Sequence, residues 1–98
     1  SNLFVVKNGR LITPPLSDGL MPGVTRKVLF QLCRKLKIPF TQKSLWPADL
    51  KKAEEIFITS TLKDVMPVGQ VEGRRLGRTL PGPITEKLMA AYRKTITI

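Results

Sequence analysis

The chain has 98 residues, 42% hydrophobic and 24% charged, with seventeen basic against seven acidic side chains and a formal charge of +10. That length suits one domain, or part of one, and excludes two independent cores. Histidine is absent, which removes a Ser–His–Asp triad, a Cys–His pair and the usual zinc ligand sets.

Leu3–Val6 reads as a strand, and Lys7-Asn8-Gly9-Arg10 as a tight turn, because Asn-Gly tolerates positive φ at both central positions. Leu11–Thr13 returns, and Pro14-Pro15 ends it. A loop with Ser17, Asp18, Gly19, Pro22 and Gly23 follows. From Val24 the period becomes helical: Val24, Val28, Leu29, Leu32, Cys33 and Leu36 form an apolar stripe, which Pro39 stops. Arg26, Lys27, Arg34, Lys35 and Lys37 fall mostly opposite that stripe, where solvated charges are expected. Phe40–Leu45 is a weaker strand, and Pro47 opens a short helix to about Lys52. Ile56–Thr59 is a buried strand, with Glu54-Glu55 flanking it. Val65–Val71 and Arg74–Leu76 form a ribbon around Glu72-Gly73. Pro83 starts a last helix with Ile84, Leu88, Ala91 and Tyr92 on one face, to about Lys94. Strands alternating with helices make the fold class α/β or α+β, a mixed sheet with packing helices.

Cys33, the only cysteine, lies among leucines and reads as a buried small hydrophobe. With no disulfide to form, a cytoplasmic setting is expected. No charged-then-apolar leader opens the chain, and no apolar run approaches the ~20 residues that span a bilayer. The basic excess suggests an anionic partner. Nucleic acid is disfavoured, because no aromatic residue is interleaved with the basic ones as a stacking platform requires.

Two polar segments could carry chemistry. Pro22-Gly23-Val24-Thr25-Arg26 runs a glycine-bearing loop into a helix, whose first N–H groups lack partners and carry partial positive charge. Thr25 adds a hydroxyl. This suits a phosphate, or it is plain capping. Thr59-Ser60-Thr61, after the apolar strand, is either a turn or the other wall of the same cradle.

These residues resemble a known family. Ser1-Asn2-Leu3-Phe4, Leu11-Ile12-Thr13-Pro14-Pro15-Leu16 and Pro22-Gly23-Val24-Thr25-Arg26 are similar to the C-terminal part of class IV (fold-type-IV) pyridoxal-phosphate aminotransferases. So are Ala53–Thr61, Val65-Met66-Pro67-Val68, Val71-Glu72-Gly73-Arg74 and Pro81-Gly82-Pro83-Ile84-Thr85. Together the segments cover essentially the whole chain. The group includes branched-chain aminotransferase, D-amino acid aminotransferase and aminodeoxychorismate lyase.

The resemblance implies the C-terminal domain of the D-amino acid aminotransferase-like fold, with residues 1–98 a single partial domain. It implies pyridoxal 5′-phosphate as cofactor, its phosphate held by Gly23, Val24, Thr25, Ser60 and Thr61. Met21, where the family usually has leucine, would lie against the pyridine ring. The Schiff-base lysine and the carboxylate paired to the ring nitrogen belong upstream of Ser1, so no catalytic residue is assigned here and no metal is implied. The implied activity is branched-chain-like transamination of amino acids and 2-oxo acids by a homodimer completed by an N-terminal half. An aminodeoxychorismate lyase is the alternative, and a non-catalytic basic binding module is the alternative from another class.

Overall fold

The computed structural model describes residues 2–16, 23–60 and 65–96. Strand β1 (Asn2–Lys7) turns at Asn8-Gly9 into β2 (Arg10–Thr13), with φ of 53° and 75° at the two turn residues. The expected hairpin is therefore present, its positive φ values carried by the residues that tolerate them. Helix α1 (Val24–Leu36) leads to β3 (Phe40–Gln42), which is parallel to β2. Helix α2 (Pro47–Lys52) precedes β4 (Glu55–Thr59) and β5 (Val65–Val68). A two-stranded ribbon of β6 (Gln70–Val71) and β7 (Arg74–Arg75) and helix α3 (Pro83–Ile96) complete the order. The main sheet runs β3-β2-β1-β4-β5.

β1 is central, and its run Leu3-Phe4-Val5-Val6 shows why: a strand covered on both faces needs no alternation of polar and apolar residues. One face carries Phe4, Val6, Leu11 and Phe57, packed on Leu29, Leu32 and Cys33 of α1 and on Leu88 and Tyr92 of α3. The other carries Val5 and Ile56 with Ala53 and Leu76, against Leu50 and Val71. On the helix face the register sets three rows, Asn2 opposite Thr59, Phe4 opposite Phe57 and Val6 opposite Glu55. The Phe4 and Phe57 rings stack at 4.8 Å, Phe30 meets Phe4 edge-on, and Phe30 stacks on Phe40 at 4.8 Å. Aromatic packing thus runs without a gap from β4 through β1 and α1 to β3.

Glu55 is buried, and its carboxylate accepts the N–H groups of Ile84 at 3.2 Å and Thr85 at 2.7 Å. A strand residue therefore caps the start of α3, placing negative charge on its positive end. Gly82 precedes that helix because a side chain there would overlap Glu55. The expectation that Glu54-Glu55 merely flank the strand is corrected for Glu55, which is inside it.

Other readings are also corrected. Val65–Val71 is not one strand: β5 joins the main sheet beside β4, while β6 pairs only with β7. The strand from Phe40 stops at Gln42. Val24 and Leu36, placed in the apolar stripe, are 69% and 40% exposed. Arg26, placed among the solvated charges, is 3% exposed. The departures at Val24 and Arg26 arise at the first turn of α1, where a long side chain reaches back over the sheet and a short one does not, and Leu36 is the last residue of the helix.

Phe4→Ala would empty the middle row and should cost about 3–5 kcal/mol in chemical denaturation. Gly82→Ala should displace the Glu55 carboxylate and destabilise by about 1–3 kcal/mol, the cost of unmet buried donors, in the same assay. Burial pushes the Cys33 thiol up to about 11 from 9.0, against a smaller opposing effect of Arg34. The folded thiol holds its proton over that interval while the unfolded one loses it, so this contribution to stability is complete below pH 9 and lost toward 11. A Cys33→Ala protein should lack that part of the alkaline decline. In the native protein at pH 8, dithiobis(nitrobenzoate) should leave Cys33 unmodified.

Candidate functional site

The Asn2–Thr59 row lies where the start of α1 meets the end of β4. A Cβ on Gly23 would touch the Asn2 side-chain nitrogen at 3.4 Å, so Gly23 sits against this row, whose other member, Thr59, immediately precedes Ser60. Gly23 is the N-cap of α1, extended at φ −123° and ψ 145°, and among the described residues it leaves the helix without a side-chain cap. Its carbonyl accepts the Lys27 N–H at 3.2 Å, closing the first turn. The N–H groups of Val24, Thr25 and Arg26 precede any intrahelical acceptor. No acidic residue stands in that turn.

The two long helices therefore differ in one respect. α3 receives a carboxylate from Glu55, whereas among the described residues α1 receives none. Its donors, its partial positive charge and a glycine that allows close approach fit a dianionic phosphate. Beside it lies a cleft of about 390 Å³, lined by Leu16, Gly23, Val24, Arg26, Lys27 and Phe30.

Of the six residues expected to hold a cofactor, Gly23, Val24, Thr25 and Ser60 are brought to this end of the sheet. Met21 and Thr61 lie outside the described residues. Val24 turns its side chain outward. Thr25 is buried, its hydroxyl oxygen 3.0 Å from that of Tyr92 on α3. If Tyr92 donates, the threonine proton remains for an anion. Ser60 is half-buried.

Sequence reasoning missed the residues that hold these in place. The Arg26 guanidinium donates from Nη1 to the Thr13 hydroxyl at 3.1 Å and the Asn2 amide oxygen at 3.5 Å. From Nη2 it donates to the Pro14 carbonyl at 2.8 Å and the Gln42 amide oxygen at 3.1 Å. It also lies 4.9 Å from the Phe30 ring centre, within cation–π range. Burial lowers its pKa from the ordinary 12.5. None of these acceptors is a carboxylate, so no sequence pattern of opposite charges could have marked it. Tyr92 falls on the apolar face of α3, and its hydroxyl is a partner for Thr25 that only the packing of α3 on α1 supplies. Among the described residues no group of three His, Cys, Asp or Glu could hold a metal, and no helix is long and apolar enough to cross a membrane.

Comparison with known proteins gives this end of the sheet a context. A model of the family Amino-transferase class IV matches residues 1–71. A probable branched-chain-amino-acid aminotransferase of Thermotoga maritima is 39% identical over 92 residues, covering 94% of this chain and 34% of its own length. The crystal structure of the Escherichia coli branched-chain amino acid aminotransferase superposes with a TM-score of 0.91 at 34% identity, over 98% of this chain and 32% of that one. That of a branched-chain amino acid aminotransferase from Thermobaculum terrenum, in its PLP-bound holo form, gives 0.91 at 28% identity, over 97% and 31%. The chain spans about a third of the length of these relatives. A family match over residues 1–71, with the same α/β fold throughout, establishes that this chain belongs to the class IV aminotransferases.

Proposed function

We propose that these 98 residues are the cofactor-holding C-terminal portion of a pyridoxal-phosphate-dependent aminotransferase that transfers amino groups between branched-chain-like amino acids and 2-oxo acids. The observation that carries the reading is the helix start: among the described residues α1 opens at Gly23 with no side-chain cap and no acid in its first turn, while α3 is capped from within. The holo form of the Thermobaculum terrenum relative supports pyridoxal phosphate as the anion. The names of the Thermotoga and Escherichia relatives support the substrate class.

In this reading the N–H groups of Val24 and Thr25, the open approach at Gly23 and the hydroxyls of Thr25, Ser60 and Thr61 hold the phosphate. Met21 rests against the ring. When bound, the cofactor supplies a ring that takes up the electron pair left as a proton departs from the substrate α-carbon. The residues of this chain make no bonds in that chemistry. They fix the ring by its phosphate and so set the geometry for a lysine and a carboxylate carried elsewhere in a longer, homodimeric, cytoplasmic enzyme. One helix end contributes only ~0.3–2 kcal/mol toward an anion, so several donors must act together.

A backbone donor can be deleted without removing the helix. Proline is tolerated at the first helical position, and the extended Gly23 before it is compatible. In the full-length enzyme, Val24→Pro should weaken pyridoxal-phosphate binding by about 10–100-fold, the worth of a hydrogen bond to a charged group, with helix content unchanged. Absorbance titration of the apoenzyme reads this directly, and undiminished affinity would remove Val24 N–H from the cradle. The wild-type enzyme should show a visible band that borohydride bleaches and an amino acid shifts. A folded enzyme without that band would instead be a basic binding module.

A further inference from the structure

Four residues open α1, and only two of them tie it down by side chain. Gly23 has no side chain, and Val24 is 69% exposed. Thr25 is joined to Tyr92 by one hydrogen bond. Everything else falls to Arg26, whose two terminal nitrogens reach four acceptors on β1, β2, β3 and the segment leaving β2.

We infer that Arg26 is a positioning residue for the phosphate cradle: its buried guanidinium clamps the first turn of α1 to three strands and thereby aims the Gly23–Thr25 backbone at the cofactor phosphate. The inference rests on the reading above that this helix start holds pyridoxal phosphate.

Asn2 makes the connection specific. Its amide oxygen accepts from Arg26 Nη1, and its amide nitrogen lies against Gly23. A shift of the guanidinium is therefore passed through one side chain to the N-cap itself. Only a planar fork with donors on separate nitrogens can bridge acceptors on three strands. A lysine ammonium offers one point of attachment. The Phe30 ring lies against the guanidinium at 4.9 Å and limits its movement away from the strands. Among the described residues the acceptors are uncharged, so the clamp leaves a buried positive charge three residues from Gly23, at the end of the helix that already favours an anion.

The test compares pyridoxal phosphate with pyridoxal, which lacks the phosphate, by equilibrium titration of the full-length apoenzyme. The wild-type enzyme should bind pyridoxal phosphate far more tightly; equal affinity for both would show that the cradle reading itself is wrong. Given a wild-type preference, Arg26→Lys should weaken pyridoxal phosphate by about tenfold or more and change pyridoxal by less than about twofold. A merely structural arginine would weaken both together and leave their ratio unchanged, which would overturn the inference. Gln42→Ala removes one acceptor from an exposed edge-strand residue and retains the fold. It should lower the ratio by about threefold. Should Arg26→Lys fail to fold, an unchanged ratio in Gln42→Ala overturns the inference and a lowered one supports it.

Discussion

The pairing of β1 with β4 is the constraint from which the rest of the molecule is arranged. Because side chains alternate along each strand, the register that sets Phe4 opposite Phe57 also puts Asn2 with Thr59 at one end of the helix face and Val6 with Glu55 at the other. A slip of one residue would turn every member of these rows to the opposite face. Glu55 would then leave the start of α3, and Asn2 would leave both Gly23 and Arg26. The buried phenylalanine stack fixes that register, since the rings are large, flat and closely stacked at 4.8 Å. Hydrophobic packing in the centre thus determines which polar groups appear at each end.

The two ends are treated differently. At the Glu55 end the fold contains its own anion, and the orphan N–H groups of α3 are met by a carboxylate that never leaves. At the Asn2 end the N–H groups of α1 meet no side chain from the N-cap, which is Gly23, and no acid in the first turn. Leaving them so forgoes the stability that a cap would give, typically about 0.5–2 kcal/mol. An anion that binds there adds stability that grows with the logarithm of its concentration relative to its dissociation constant. Arg26 fits the same logic. A guanidinium keeps its proton even where burial lowers its pKa, and carbonyl, amide and hydroxyl oxygens satisfy its donors without cancelling its charge.

The order of elements was legible in the sequence, because it rests on local rules. Asn8-Gly9 takes up positive φ as the hairpin requires, Pro39 follows the end of α1, and Pro83 begins α3. What failed depended on where an element lies in the whole. Helical periodicity separates an inner from an outer face only where the helix lies over the sheet. The first turn of α1 lies at the sheet's end, so Val24 is exposed and Arg26 is buried against the prediction for both. The apolar letters from Val65 to Val71 form no single strand, because the chain leaves the main sheet at Gly69, whose carbonyl accepts the Leu76 N–H at 2.9 Å instead. The site itself was visible only as two polar segments of ambiguous purpose. Resemblance to the class IV family, and not periodicity, joined them into one cradle.

That ambiguity has a physical origin. When a ligand is held by backbone N–H groups, the residues that touch it need no particular side chain, and in the proposed cradle the outward Val24 is such a residue. In the proposed cradle the chemical requirement passes to residues that tie this backbone to the strands and to α3: Arg26, Asn2, and Tyr92 through Thr25. Such residues are polar, buried and paired with neutral partners from distant parts of the chain, 67 residues away in the case of Thr25 and Tyr92. A motif search finds the contacting segment, since its glycine and threonine sit at fixed spacing. It does not find the supports, which become recognisable only when the strands that carry their acceptors are assembled side by side.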